Sequence, residues 1–567
     1  MSGDNLTYSM ASETESTSKV FVRKDWLSIL DTQSGNYRGN QSTIDTSTLS
    51  NSGKFLNYRE AYLSVPLVLT LTGNGLVPAT AATSVDYGIG LKNWFGSIVH
   101  SFSLDVNGVT IVQQTPLCGL WNSFKLMTTL SMNDVQTIGA SIGFYPDSAL
   151  SVSFDAVEST NGLGTSNNQN YTGATIVTGA LNSYLTTNEG LFRRQTYINY
   201  DPDGLTDAGS DAFSTLLPAA SCNALYKSYI SQKTNVSATM GVIQFSIMAI
   251  IQLKHLHSFF QNVPLLRGVF MKATINFNQP QVTFQGTTDK YLSIVSSNNP
   301  LGGVCPIMIA SAKANNGLTA WAFNNAVGAS NLLYASLCVG NQLTWSTQVT
   351  QGANSTSNFT SSIMLNVPSF SFNPVFEQAY LSNPIKRIVY EDIYQYSVLN
   401  VPANGSFNNL ITNGIAGIKS ILVLPFYTAT ANGGVSPIQS IFDPAGAGPT
   451  SPLCLLSNFN VVVSGSNAIY NTTRYSYQTF MEQLNGCNAI NAGLTDGLTS
   501  SLISQLDFET SYCYHYVDLS RMLPIEDNIP KSVTIIGSNL SAKAVDLLVF
   551  ISYSVEVKMN VSSGLIV

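Results

Sequence analysis

Two histidines one residue apart, His255 and His257, are the first place in this chain where chemistry could sit. A His-x-His pair can grip a metal ion, and His515 lies on the matching stretch of a repeat described below. His100 completes the set of four. A metal site needs three or four donors, and no Asp, Glu or Cys stands near His255 at ligand spacing. The expectation is therefore a partly buried pair packed beside Phe259 and Phe260. The seven cysteines are Cys118, Cys222, Cys305, Cys338, Cys454, Cys487 and Cys513. None forms a CxxC pair, the number is odd, and most lie among apolar residues, as in LYASLCVG around Cys338. Buried free thiols are expected rather than a disulfide frame. Glu391-Asp392 falls in a strand, where neighbours point to opposite faces, so a solvated edge or a local ion pair is expected, not acid–base work. Glu526-Asp527 falls in a turn and reads as exposed. No HExxH, GxSxG or P-loop pattern occurs. No catalytic, cofactor-binding or metal-binding residue is assigned, no cofactor is expected, and the chain does not read as an enzyme.

The elements that hold these residues must come from more than one core. The chain has 567 residues, and a single hydrophobic core stops growing near ~250–300. Hydrophobic residues are 44% and charged residues only 10%, against a usual ~25%. Disorder needs low hydrophobicity and high charge, so the chain should fold. A surface poor in Lys and Glu, the types depleted from interfaces, suits a chain packed against copies of itself. The net charge is −7, and residues 1–19 carry three acids and no base before Lys19. That stretch reads as a flexible polar arm that could not grip phosphates, so direct nucleic-acid binding is disfavoured. No basic-then-apolar leader opens the sequence, and the longest apolar run, MGVIQFSIMAIIQL (240–253), is too short to span a bilayer. A soluble protein made in a reducing compartment is expected.

Residues 101–108 read SFSLDVNG and residues 458–465 read NFNVVVSG. Each is an alternating half-buried strand ending in a tight turn. The match extends in both directions. Trp121 and Phe124 correspond to Tyr477 and Phe480, spaced as the buried face of a short helix. SVPLVLTL (64–71) corresponds to SILVLPFY (420–427), and VFVRKDWLSIL (20–30) to RIVYEDIYQYS (387–397), with Val22 opposite Val389 and Asp25 opposite Asp392. LKHLHSFFQNVP (253–264) corresponds to LSRMLPIEDNIP (519–530), and strands follow both. Five segments recur in the same order, so the chain reads as a tandem duplication of a β-rich unit.

The offsets also show where the copies differ. The first carries large additions at about 131–230 and 280–360, with the composition of long surface loops. The second, 385–567, is close to the minimal unit. Asn373-Pro374 is a good helix start, and the helix must stop before Pro384, so one short helix joins the copies. Residues 20–384 are read as the first unit with its connecting helix. A unit of about 183 residues accommodates eight strands of ~6 residues with their connections. The fold class is therefore all-β: two tandem eight-stranded jelly rolls, with short helices and long loop insertions in the first.

VFVRKDWLSIL near the start, SFSLDVNG with its following LWNSFKLM, and VPSFSFNPVFEQAYLSNPIKRIVYEDIYQY at the junction carry a family resemblance. From about residue 20 onward, the chain resembles the double jelly-roll major capsid proteins of icosahedral DNA viruses, especially those of virophages and polinton-like viruses. The resemblance implies a structural role. Homotrimers would form hexon-like, pseudo-hexagonal capsomers that tile a virion shell. Pentons and minor or cement capsid proteins would be the partners. Assembly would take place in the host cytoplasm or nucleus. Loops of the first copy, including 131–230, would build the outer face. The rival is a β-sandwich adhesin or glycan-binding receptor-recognition protein, which would carry separable domains on flexible linkers.

Overall fold

The computed structural model describes residues 20–74, 87–147, 196–198, 230–235, 240–286, 292–311, 332–340, 362–469, 474–486, 502–520 and 529–566, apart from residues 36, 38, 433 and 442. The fold is all-β, with a few short helices. Eight strands frame the first half: β1 (Phe21–Leu30), β2 (Gln41–Asp45), β3 (Tyr62–Asn74), β4 (Val99–Val106), β5 (Val109–Val112), β6 (Met240–Gln252), β7 (Met271–Phe277) and β8 (Met364–Phe372). Eight more frame the second: β9 (Ile385–Val401), β10 (Ser406–Ile415), β11 (Ile418–Tyr427), β12 (Leu456–Val463), β13 (Ser466–Asn467), β14 (His515–Asp518), β15 (Lys531–Asn539) and β16 (Val545–Asn560).

The two halves are wired alike. In the first, β1-β8-β3-β6 pair in that order within one sheet and β2-β7-β4-β5 form another. In the second the orders are β9-β16-β11-β14 and β10-β15-β12-β13. Every pairing is antiparallel. The matched phrases are β4 and β12, and each runs into a two-residue hairpin. Asn107 and Gly108 sit at φ 49° and 83°, Ser464 and Gly465 at 48° and 87°. Both central residues are left-handed, the turn whose twist matches that of the flanking strands. Burial follows the strand period in β15, whose KSVTIIGSN alternates buried with less buried positions. By contrast β11, ILVLPFY included, is buried almost throughout, as expected of a strand covered on both faces.

Strand direction alternates in each half, so connections alternate between two ends. The turns 107–108 and 464–465 share one end with both termini of each half. There Asn107 Nδ2 donates to Ser563 O at 2.7 Å, and Arg267 N–H donates to Val561 O at 2.8 Å. The β3–β4, β5–β6 and β7–β8 connections all leave from the other end. These are the long ones, and they are not all loop. Residues 131–142, expected as loop, begin a helix: α1 (Cys118–Thr129) is followed by α2 (Met132–Ile142). The reason is local. Ser131 and Asp134 form a reciprocal capping box, and Gly143 ends the helix at φ 64°. Likewise 280–360 contains strands Gln281–Gly286, Leu292–Asn298, Ile307–Ser311 and Leu332–Val339. The last extends the first sheet along β3, which also pairs with β8 near its start. Most of 148–229 lies outside the described residues.

Two one-turn helices, α3 (Leu253–Leu256) and α4 (Phe259–Asn262), follow β6. Helix α5 (Pro374–Leu381) joins the halves, with Asn373 Oδ1 accepting from Val375 N–H at 3.3 Å. One apolar cluster runs continuously through both halves.

Candidate assembly interface

The sequence brings its polar side chains together at the seam between the halves. Strand β9 is the edge strand of its sheet, and an unpaired edge is a row of free donors and acceptors. Here side chains of the first half occupy it. Ser258 Oγ donates to Glu391 O at 2.5 Å and accepts from Glu391 N–H at 2.9 Å. Thr115 Oγ1 donates to Ile393 O at 2.9 Å, and Asn262 Nδ2 donates to Val389 O at 2.8 Å. Tyr390 OH donates back to Ile111 O at 2.6 Å. Alternate residues of β9 present their backbone to the same side, so one short polar segment and one helical turn reach three of them.

Apolar contact backs these bonds. On α1 Trp121 lies 6.4 Å from Phe550, and Phe124 lies 5.2 Å from both Tyr514 and Tyr516, measured between ring centroids. The three-residue aromatic spacing is thus a buried helix face, and what it is buried against is the second half. Helix α6 (Tyr477–Gly486) carries the corresponding pair, but Phe480 stacks on Phe508 of its own half at 5.1 Å.

The histidines divide between seam and core. His257 Nδ1 accepts from Phe259 N–H at 3.2 Å, which leaves Nε2–H to face Asp392 Oδ1 at 3.3 Å. Asp392, from the acid pair expected at a solvated edge or in a local ion pair, is buried. It also accepts from Tyr553 OH at 3.2 Å and Ile393 N–H at 2.8 Å. Strand alternation turns Asp392 inward and leaves Glu391 partly exposed, 3.4 Å from Lys125 Nζ. His257 packs on Phe102 and Tyr390 as well as over Phe259 N–H, and His255 packs on Trp94. Burial pushes His255 down to about 4. His100 is also buried and lowered for the same reason. His515 is fully buried and far from this pair: Nδ1 faces Cys513 O at 3.0 Å and Nε2 accepts from Leu456 N–H at 3.3 Å. Desolvation pushes it down to about 3.

A cleft of about 480 Å³ runs along the seam, lined among others by Lys125, Lys254, Lys419, Gln261, Asn262 and Glu391. Among the described residues no group of three His, Cys, Asp or Glu is placed to hold a metal ion. Cys118, Cys305, Cys338, Cys454 and Cys513 are buried thiols, none of them in a disulfide. Desolvation raises Cys118 to about 12 and Cys513 to about 11, so these thiols stay protonated at neutral pH. Cys222, Cys487, Glu526 and Asp527 lie outside the described residues. Among the described residues no helix is long and apolar enough to cross a membrane; the 240–253 run is β6 and the first residue of α3.

A second contact closes the long-loop end, and the residue patterns gave no sign of it. Lys92 is fully buried and its Nζ donates to Ala445 O at 3.3 Å. Asp147 and Asp443 are buried nearby and act on its charge. Burial pushes Lys92 down and Asp443 up to about 6. Tyr512 OH donates to Asp147 O, and Cys305 N–H donates to Ile438 O at 2.8 Å. The connections of both halves therefore interlock.

No protein-family model matches the chain, and no curated protein matches it. Solved structures do. The chain is similar in structure to a chain of the Sputnik virophage, with TM-score 0.49 and 11% identity, covering 97% of this chain and 89% of that one. It is similar to the mavirus major capsid protein at TM-score 0.40 and 9% identity, covering 96% and 89%. For the Faustovirus major capsid protein the values are 0.40, 9%, 95% and 91%.

Proposed function

We propose that the chain is the major capsid protein of an icosahedral DNA virus of the virophage or polinton-like kind. Each half is read as an eight-stranded jelly roll: residues 20–384 with insertions and linker helix, then residues 385–567. Three chains form a pseudo-hexagonal capsomer, capsomers tile the virion shell, and penton and minor capsid proteins complete it. The insertions of the first roll face outward. The repeated sheet orders support the two rolls, because alternating strands between two four-stranded sheets is jelly-roll wiring.

The seam carries this reading. A shell subunit must transmit contacts across its whole width without bending. Capped edge, aromatic packing and interlocked loops make two rolls one block. An adhesin on separable domains has no use for such a join. Light scattering after size exclusion tests the proposal. One chain is 60.9 kDa, so a stable species of about 183 kDa, or shells built from it, is expected. A clean monomer at micromolar concentration overturns it.

A further inference from the structure

At the long-loop end an amine and two carboxyl groups meet where water does not reach. Lys92 comes from the β3–β4 connection, Asp147 from the β5–β6 connection and Asp443 from the β11–β12 connection. Lys92 is 0% exposed, and Asp147 and Asp443 are each 2% exposed. Asn93 N–H donates to Asp147 Oδ2 at 3.3 Å, which holds that carboxyl beside the lysine. Lys92 and Asp443 reach one residue from two sides. Lys92 Nζ donates to Ala445 O at 3.3 Å, and Asp443 Oδ1 accepts from Ala445 N–H at 2.8 Å. The other carboxyl oxygen, Asp443 Oδ2, is buried and has no hydrogen-bond partner among the described residues. If all three groups were charged, one carboxylate would be unmatched in a dry site, a costly arrangement. Desolvation, the largest cause for each group, draws Lys92 towards the neutral amine and Asp443 towards the protonated acid.

We propose that Lys92 and Asp443 condense, after the chain has folded, into an amide that ties the two halves together covalently. A desolvated lysine amine is a nucleophile, and its flexible four-carbon stem lets Nζ turn from Ala445 O onto Cγ of Asp443. Nζ attacks Cγ with its lone pair. Oδ1, already held by Ala445 N–H, takes the negative charge of the tetrahedral intermediate and becomes the amide oxygen. Oδ2 carries the acid's own hydrogen and is the leaving group. Asp147 takes the proton that the nitrogen loses and delivers it to Oδ2, which departs as water. One C–N bond forms, one C–O bond breaks, nothing is oxidised or reduced, and Asp147 ends as it began. In bulk water hydrolysis would win. Here burial excludes water and the fold holds the partners at high effective concentration. The product is a neutral amide, so two ionisable groups leave the core. The Cys305 thiol beside Lys92 is kept protonated by burial and does not compete.

Mass decides the question. By mass spectrometry, the purified full-length chain should be lighter than its sequence mass by one water. A protease digest should hold one branched peptide that joins Lys92 to Asp443. Lys92→Met and Asp443→Ala should each restore the full sequence mass and remove the branched peptide. Asp147→Asn cannot carry the proton, so in freshly made protein the water should be lost about 100-fold more slowly than in wild type. An unchanged rate would overturn the part given to Asp147, because a merely structural role moves stability and not this rate. Wild type that keeps its full sequence mass, with no branched peptide in the digest, overturns the inference. So does a lost water that maps to a single unbranched peptide. If the variants do not fold, the mass and digest of wild type decide alone. None of these results depends on whether copies assemble, so the capsid proposal stands or falls separately.

Discussion

Lowering the pH from 7 to 5 should strip stability from the second half through one residue, His515. Its ring is fully buried between Cys513 O and Leu456 N–H. With Nδ1–H donating and Nε2 accepting, the neutral ring satisfies both neighbours. A second proton on Nε2 would point at Leu456 N–H and would sit in a desolvated core. Desolvation is the larger cause, and it brings the folded value down to about 3, from ~6.5 in the unfolded chain. The sign follows: the unfolded state takes up the proton first, so stability falls as pH drops below ~6.5 and goes on falling to about 3. At pH 5 the unfolded histidine is about 1.5 pH units below its own value and almost fully charged, while the folded one is neutral. At ~1.36 kcal/mol per unit the loss between pH 7 and pH 5 is about 2 kcal/mol. His255 and Asp443 also titrate in this range, so the test is a difference. Urea unfolding of wild type and His515→Gln is measured at pH 7 and pH 5. Glutamine can still offer both a donor and an acceptor. Wild type should lose about 2 kcal/mol more than the variant between the two pH values, whatever the variant's starting stability. Equal losses would refute the assignment of a buried neutral ring.

Two further substitutions probe the frame and the seam. Gly465→Ala should cost about 1 kcal/mol in a thermal or urea melt, and Gly465→Asn much less, because φ there is 87° while a Cβ would meet nothing within 4 Å; equal costs would mean that space, not backbone conformation, is limiting. Ser258→Ala removes both bonds to Glu391 and should cost about 1 kcal/mol, since water in the cleft can replace part of what is lost. Its melt should stay a single transition, whereas independent melting of the halves would refute a rigid seam.

Much of the frame was legible because strand alternation is written in one dimension. SFSLDVNG and NFNVVVSG mark equivalent strands and turns because a hairpin with two left-handed residues demands Asn-Gly or Ser-Gly at its tip. The helix at Pro374 was legible for a similar reason, as its cap and its stop are both local. The capping box of Ser131 and Asp134 was equally local and was passed over because the surrounding composition reads as loop. The seam was not legible. Thr115, Ser258 and Asn262 act on backbone carbonyls more than a hundred residues away, and a carbonyl carries no residue identity. The burial of Asp392 was not legible for a related reason. Alternation says that Glu391 and Asp392 face opposite ways, but not which face another domain will cover. Lys92 and Asp443 approach each other from the third connection of each half, and neither lies in a segment that recurs between the copies.

The placement of the insertions follows from parity rather than from any motif. In an antiparallel frame, odd-numbered connections leave from one end and even-numbered ones from the other. The long additions of the first half fall in the fifth and seventh connections, both odd, so they start and finish at one end. The seam along β9 and the exposed face of β1 lie on the sides. A block that packs sideways can therefore lengthen its loops at one end without touching the surfaces that fix its neighbours. The opposite end carries the two-residue turns at 107–108 and 464–465, and there Asn107 clasps Ser563. Growth at one end, away from the two-residue turns, suits the shell subunit proposed above, and it follows from where eight strands leave their connections.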